Sequence, residues 1–549
     1  MFTYRLNPYI SFIENRLFPG VVQRAVFHRL TGEILEPGEM VRSQLVAARS
    51  GGPISLAGVD LNRGAGLQLR QLIQREFLIP EGYDPLASLL DCYVARPMQN
   101  PAVAYRSKIG KWVLVRTSME ETVYSRKRDE LPAIVEETLW PEAAAIFLMA
   151  DGTRTLREIF NALPEAGDVR AALDFLTTQE RQLIKFTSQR EALDHPFTYV
   201  NIIPRNLYHS QKTDQPVIDF HLHEIDDASW EFDLIEPTVN HGFRFPHEAL
   251  GGLEYGARFC VSTMEALSSL DHSRALDVLE VGGGTGSFAR SFIEQAESVN
   301  YHILDLSPAL MANQRKVLGE LLPESHHFHQ NATEFDLPDH TFDLIVSNEV
   351  IADFPVALVE RGSDGKWRGE GASYLEKYDL SDANAPDSFV VNDGVFRFIE
   401  RAWKHLRPGG TLIVSEYGTE QHYPVASFNL NHDEYAIHFG HLVSCATKVG
   451  FECRLLTLKE FLNIDDEVLV LNGREEHLLC LNHVFKSYGE VLPYAVISKS
   501  DFEARCERIV EQTGLIGYSF SPLRLGFHFG PNIKDFFVLI MHKPMQKEI

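Results

Sequence analysis

The chain has 549 residues, a formal net charge of −25, and 44% hydrophobic against 23% charged residues. That length exceeds one compact core and predicts two or three domains, while the composition excludes disordered, collagenous and coiled-coil proteins. Charge is unevenly spread, with 17 Lys and Arg against 13 Asp and Glu in residues 1–130, and 34 against 63 thereafter. An acidic field repels phosphate backbones, so no nucleic-acid partner is expected and a cationic or basic-peptide partner is favoured, although solvated acidic surface is the plainer reading.

The six cysteines (Cys92, Cys260, Cys445, Cys453, Cys480 and Cys506) form no C-x-x-C pair, so neither a zinc site nor a disulfide framework is expected. No apolar stretch is long enough to cross a membrane, and MFTYRLNPYISFIENRLF lacks the basic start and cleavage site of a signal peptide. A cytoplasmic protein without a membrane partner is expected.

In chain order, FHRLTGEILEP (27–37) reads as paired short strands and LQLRQLIQREFLIP (67–80) as a helix running into a strand. KWVLVRTSMEETVYS (111–125) is strand-like, and PEAAAIFLMADGTRTLREIFNAL (141–163) reads as helix, Asp-Gly turn, helix, followed by VRAALDFLTTQERQLIKF (169–186). LMADGTRTLREIFNAL with the closing LIKF resembles the winged-helix module of PqqD-like proteins. The resemblance implies leader-peptide binding, whereas structural filler or a dimerisation module, and with it a homodimer, is the plainer reading. The pattern divides residues 1–190 into two α+β winged-helix-like modules, 1–100 and 101–190. Residues 191–270, rich in Pro, His and aromatics without periodicity, are expected to connect and cap the site.

From Ala275 apolar strands alternate with amphipathic helices, predicting a doubly wound parallel sheet within residues 271–549. ALDVLEV (275–281) reads as a strand buried on both faces and feeds into GGGTGSFARSFIEQA, giving strand, glycine turn, helix. A dinucleotide fingerprint starting at Gly282 would need glycine where Ser287 stands, and no Gly-Lys-Ser/Thr follows for a Walker A loop, so a nicotinamide or flavin oxidoreductase is disfavoured. What remains, E-x-G-x-G-x-G, resembles the first motif of class I S-adenosylmethionine (SAM)-dependent methyltransferases.

VNYHILDLSPAL (299–310) supplies Asp305 at the end of the next strand, where this architecture sets a carboxylate against both ribose hydroxyls, unless it serves only as a cap or turn residue. Asn331 and Ala332 stand at an adenine-flanking position, and FDLIVSNEV, the fourth strand, ends on Ser347, Asn348 and Glu349. The expected cofactor contacts are Glu280, Gly282, Gly284, Gly286, Asp305, Leu306, Asn331, Ala332 and Ser347.

These residues resemble the MidA-like family, which includes the arginine methyltransferase that assists assembly of mitochondrial complex I. SNEVIADFPVALVERGSDGKW (347–367) is similar to the family's N-E-x-x-D-A-x-P-V segment with its following Trp, and SEYG (415–418) to its D-Y-G-like end of strand five. HDEYAIHFGHLVSCATKVGFECRLLTLKEFL (432–462) resembles its helix, glycine, strand and Phe-Leu succession, and FGPNIKDFFVLIMHKP (529–544) its last strand. The resemblance spans about half the chain and departs in the altered order of Ala352-Asp353. It implies a Rossmann-like class I methyltransferase with a mostly parallel seven-stranded sheet, using SAM and no metal.

Methyl transfer from a sulfonium is an in-line displacement in which the enzyme aligns the groups and handles one proton. A nitrogen nucleophile needs carboxylates to orient its cation, which singles out Glu349 first, then Asp353, with Asn348 and Tyr417 as further candidates. Backbone bonding at the strand end for Asn348, a turn role for Asp353 and simple packing for Tyr417 are the ordinary alternatives. His438 and His441 share one helix face, as a hydrogen-bonded pair more readily than as an acid and base. The leading expectation is N-methylation of a protein or peptide recruited by the N-terminal modules. O- or C-methylation of a natural-product scaffold and a non-catalytic SAM-binding assembly factor are the alternatives.

Overall fold

The computed structural model describes residues 3–18, 21–31, 33–49, 53–56, 59–86, 90, 93–97, 102–117, 133–150, 152–163, 168–178, 183–188, 221–223, 238–267, 274–424, 434–473, 475–525 and 533–545. Most of the expected cap segment, residues 118–125 of the expected strand 111–125, and Cys92 lie outside the described residues. No described helix is long and apolar enough to cross a membrane. The chain divides into two compact units, one of Met1–His209, Asn472–Leu492 and Phe502–Ser519, the other of Ser210–Leu471, Pro493–Asp501 and Phe520–Ile549.

In the first unit, Thr3–Leu6 pairs antiparallel with both Ile54–Ser55 and Leu78–Pro80, and helices Glu39–Ala48 and Gly64–Gln74 pack in the same cluster through Val41, Leu45, Leu69 and Leu72. The expected short strands of 27–37 are present as Val21–His28 paired with Ile34–Leu35, and the expected helix and strand of 67–80 as Gly64–Gln74 and Leu78–Pro80. A second core gathers beneath the antiparallel strands Ala102–Arg106, Trp112–Thr117 and Ile134–Thr138. Helices Pro141–Met149, Leu156–Ala162 and Val169–Thr177 fill it with Ile146, Leu156, Ile159, Leu173 and Leu176. Gly152, at φ 85°, makes the turn between the first two helices. Thr155 then starts the second with a reciprocal cap, its Oγ1 accepting from Glu158 N at 3.3 Å while Glu158 Oε2 accepts from Thr155 N at 2.7 Å. Helix Glu475–Lys486, far away in sequence, packs on the strands of this unit.

In the second unit, helix α1 (Tyr255–Ala266) precedes β1 (Leu276–Val281), α2 (Ser287–Gln295), β2 (Val299–Asp305), α3 (Pro308–Leu318), β3 (His327–His329) and β4 (Phe342–Asn348). The helix α4 (Asp393–His405), β5 (Leu406–Thr419), α5 (Phe439–Val449), β6 (Glu452–Thr457) and β7 (Phe536–His542) follow. The sheet order is β3-β2-β1-β4-β5-β7-β6, with β7 antiparallel to both neighbours and the remaining pairs parallel. A two-residue strand, Ile437–His438, adds parallel to the end of β5. Alternation along the strands sends Val278, Ile303, Leu344 and Ile413 to a core shared with Tyr255, Phe259, Phe288 and Phe292. Leu279, Leu304, Ile345 and Leu412 meet Phe396, Phe398, Ile399 and Leu442 in the other.

The amino ends of three neighbouring strands are tied by one carboxylate. Asp343 accepts from Asp277 N at 2.9 Å, Arg274 Nη1 at 2.8 Å and Arg407 Nη1 at 2.7 Å. Burial acts to raise this carboxyl, but the hydrogen bonds from Arg274, Asp277 and Arg407 hold it below the usual value. At the opposite ends the chain order reverses between β1 and β4. Connections there diverge to either side of the sheet and leave a crevice, the usual ligand position in an open α/β sheet.

Candidate active site

The crevice begins with the glycine turn. β1 ends at Val281, and Gly282 N donates to Leu304 O at 2.8 Å, which carries the backbone off the strand. Gly282 has φ 76°, and a side chain there would run into that of Val350. Gly284, at φ 49°, also occupies the left-handed region, yet a Cβ on it would meet nothing within 4 Å, so the restriction there is conformational and the space beside it is open. Helix α2 then starts at Ser287.

Around this turn lies a cleft of about 1080 Å³, its open mouth included, lined by Glu280, Val281, Gly282, Gly283, Gly284, Phe288, Asp305, Leu306, Leu310, Gln330, Asn331 and Ala332 on one side. Asn348, Glu349, Val350, Asp353, Phe354 and Pro355 line it after β4, and His221, Thr238, Asn240 and His241 from upstream of α1. Asp305 is buried at the end of β2, with Oδ1 accepting from Ser307 N at 2.9 Å and Oδ2 from Gln314 Nε2 at 2.7 Å. Burial raises its carboxyl against the pull of those two donors. Glu280 accepts from Tyr301 Oη at 3.2 Å, and burial pushes it up to about 8. The Asn331 side chain is engaged by Thr333 N at 2.9 Å, which shapes the turn after β3.

After β4 the chain turns sharply, with Glu349 at φ 53°. Its carboxylate accepts from Val239 N at 2.9 Å, Asn240 N at 3.3 Å and Asn348 Nδ2 at 3.1 Å, so it holds the short helix Val239–Gly242 to the strand end. Burial pushes this carboxyl up to about 7 despite those donors. Asn348 Oδ1 accepts from Tyr255 Oη at 2.7 Å, linking α1 to the same point. His241 Nδ1 lies 2.8 Å from Thr238 Oγ1 and its Nε2 3.3 Å from Thr285 Oγ1, and burial depresses the imidazole to about 4, leaving it neutral. Asp353, in a short turn of 3₁₀ helix, pairs with His221, Oδ2 to Nε2, at 3.1 Å.

Of the residues singled out from sequence, Glu280, Gly282, Gly284, Asp305, Leu306, Asn331, Ala332, Asn348, Glu349 and Asp353 line this one cleft. Gly286, at φ 86°, caps α2 next to it. Ser347 is fully buried in β4 and Tyr417 is 38% exposed against Phe536, and neither lines the cleft. His438 and His441 are stacked at 3.7 Å, with His438 capping α5 and His441 Nε2 donating to Ser381 O at 2.8 Å, a packing role away from the cleft. Sequence reasoning missed His221, Thr238, Asn240 and His241, which carry no periodic signal. It also missed Glu416, a buried carboxyl whose oxygens accept from Tyr417 N at 2.9 Å and Ala352 N at 3.3 Å and which burial drives well above the ordinary range. The only local sign was the Thr-x-x-His spacing of a helix start, with Thr238 Oγ1 accepting from His241 N at 3.1 Å.

Residues 257–423 match the model of a family described as "Putative S-adenosyl-L-methionine-dependent methyltransferase". This is a SAM-dependent methyltransferase. No protein of curated function matches the sequence. Among solved structures, a "likely methyl transferase" from Burkholderia thailandensis bound to S-adenosyl-homocysteine is 16% identical, with 56% of this chain and 83% of that chain covered and a TM-score of 0.30. A phosphoethanolamine N-methyltransferase 2 from Haemonchus contortus in complex with SAM is 13% identical over 66% of this chain and 63% of that one, with a TM-score of 0.30. A complex of the Haloferax volcanii Trm112 methyltransferase activator with its methyltransferase gives 14%, 53%, 92% and 0.27 for the same quantities.

The cleft suits the cofactor of the family. Room beside Gly284 admits a ligand close to backbone, Asp305 presents a carboxylate to the same space, and Glu349 can offset positive charge, while Glu280, pushed up to about 8, stays protonated at neutral pH.

Proposed function

We propose that the enzyme transfers the methyl group of SAM to a nitrogen of a protein or peptide, arginine or another cationic side chain being the best match. One observation carries this reading: the described lining of the cleft includes Glu280, Asp305, Glu349 and Asp353 and no Lys or Arg. Such a site favours a cationic acceptor beside a cationic cofactor, and desolvated carboxylates act at far higher strength there than in water.

When bound, SAM supplies an electrophilic methyl on a sulfonium. In this proposal Gly282, Gly284, Gly286 and Asp305 hold the cofactor, with Glu280, Leu306, Asn331 and Ala332 as supporting positions and Ser347 buried in β4 outside the cleft. Asn348, Glu349 and Asp353 align the acceptor, with Tyr417 outside the cleft. Glu349 is already fixed by two backbone N–H groups, which suits orientation of a cation more than proton removal.

The modules 1–100 and 101–190 recruit the substrate, the second through the helix-turn-helix pair Pro141–Met149 and Leu156–Ala162, with 191–270 connecting them to a cytoplasmic catalytic domain of 271–549. Incubating the full chain with radiolabelled SAM and protein or metabolite fractions, followed by mass spectrometry, tests the reading. Label confined to small metabolites, or to oxygen or carbon atoms, defeats it.

A further inference from the structure

We propose that Tyr255 is a positioning residue for the transfer step: its hydroxyl locks the Asn348 side-chain amide in the orientation that presents an N–H to the Glu349 carboxylate lining the cleft. The inference rests on the reading in which Glu349 faces the cation. Tyr255 lies just upstream of the family-matched residues 257–423, so nothing in that match assigns it a role.

Three observations carry it. First, Tyr255 opens α1 and is fully buried, its ring set against Phe259 and Phe288 at 6.0 and 6.1 Å between centroids, so its hydroxyl has a fixed direction. Second, that hydroxyl donates to Asn348 Oδ1 at 2.7 Å while Asn348 Nδ2 donates to Glu349 Oε1 at 3.1 Å. A side-chain amide keeps nearly the same shape when its oxygen and nitrogen change places, so hydrogen bonds and not packing choose between the two orientations. Third, the same carboxylate accepts from Val239 N and Asn240 N, and a backbone N–H has no second orientation to offer. Of those three donors, the Asn348 amide alone can reverse.

The reversal matters through charge. With the carbonyl turned towards Glu349, the pair is satisfied only if the carboxyl keeps its proton; with the N–H turned towards it, the carboxylate form is favoured. The buried phenol proton needs an acceptor, which the reversed amide does not present, so Tyr255 selects the second arrangement. The other titratable groups about Glu349 are Glu416 on β5, itself driven well above the ordinary range by burial, and Glu434, whose charge works against that of Glu349. His241 on the short helix Val239–Gly242 is held neutral by burial, and Asp353 with His221 lies on the turn that follows β4. All of these are retained when the Tyr255 hydroxyl alone is removed.

The test is calorimetry of SAM binding to the full chain from pH 6 to 8.5. Tyr255→Phe keeps the ring and its packing. It is expected to move the midpoint of the affinity profile upward by about 0.5–0.7 pH unit, so that SAM binds about two- to threefold more weakly at pH 7 and within about twofold of wild type at pH 8.5. Asn348→Ala removes the same donor, should move the midpoint in the same direction, and keeps the proposal falsifiable if the phenylalanine form melts early. Tyr255→Phe should add nothing further in an Asn348→Ala or a Glu349→Gln background, because the hydroxyl acts through those two side chains. A loss of affinity equal at every pH is what a merely structural role gives and overturns the proposal, as does a shift that persists in Glu349→Gln. Absence of SAM binding, or of a pH slope, in the wild type overturns the reading of the cleft and the proposal with it; a wild-type slope whose midpoint Tyr255→Phe leaves in place overturns the proposal alone.

Discussion

Cofactor affinity should depend on pH through Glu349. Its carboxyl sits at about 7 because it is buried, so at pH 6 about 90% of the unliganded molecules carry a proton there. A protonated carboxyl cannot offset the sulfonium, and binding must first expel that proton. The affinity for SAM should therefore fall about tenfold between pH 8 and pH 6, with release of about one proton per SAM bound at the lower pH. S-adenosylhomocysteine, whose sulfur is neutral, should show a shallower slope, and Glu349→Gln should lose the slope. Because the folded value lies above the ordinary 4.5, this group's contribution to stability is complete below about 4.5 and is lost as pH rises through about 7, a trend that ligand binding opposes. Calorimetry from pH 6 to 8 in buffers of contrasting ionisation enthalpy reads both the slope and the proton count. A flat profile in the wild type, or a slope that persists in Glu349→Gln, refutes the reasoning.

Three further outcomes follow from named contacts. Gly284→Val adds a branched side chain at φ 49° and fills the open space beside the turn, so SAM affinity should drop on the order of a hundredfold by calorimetry; retained affinity would count against the loop assignment. Glu349→Ala leaves Val239 N and Asn240 N without their acceptor, about 1–3 kcal/mol for each buried group, so amide exchange in residues 239–242 should quicken by at least about tenfold; unchanged protection contradicts the anchoring role. Asp343→Ala removes one carboxylate partner from Arg274 and Arg407 at the far end of the sheet, leaving both with Asp277, and frees Asp277 N. Both arginines keep water access, so about 2 kcal/mol of stability should be lost in urea unfolding, with SAM affinity within twofold of wild type.

Legibility in the sequence followed locality. The strand, glycine turn and helix around Gly282 obey short-range rules of burial and left-handed φ, and the strand ends at Asp305 and Asn348 fall where apolar runs stop. Helix α1 was less visible, because Tyr255 and Phe259 read as part of an aperiodic stretch until their packing on Phe288 is known. Glu349 is singled out by its place at the strand end, but its bonds to Val239 and Asn240 span some 110 positions and no local pattern encodes them. Ser347 shows the limit of counting from a strand end, since one step along a strand reverses the face. His221 had no signal whatever; only folding brings it to Asp353.

Helix Glu475–Lys486 has a consequence for how the chain is made. Its Leu478, Cys480, Leu481, Val484 and Phe485 are buried, and it packs on strands Ala102–Arg106 and Trp112–Thr117 of the first unit. On a ribosome the strands emerge more than 350 residues ahead of that helix, on the order of half a minute at ordinary elongation rates. For that interval the amino-terminal region has an apolar face awaiting its cover, an opening for chaperones to occupy. The same connectivity bears on dissection: cutting away residues 1–190 strands a greasy helix near the carboxyl end, so loss of activity in such a fragment reports a damaged fold before it reports a missing recruitment module.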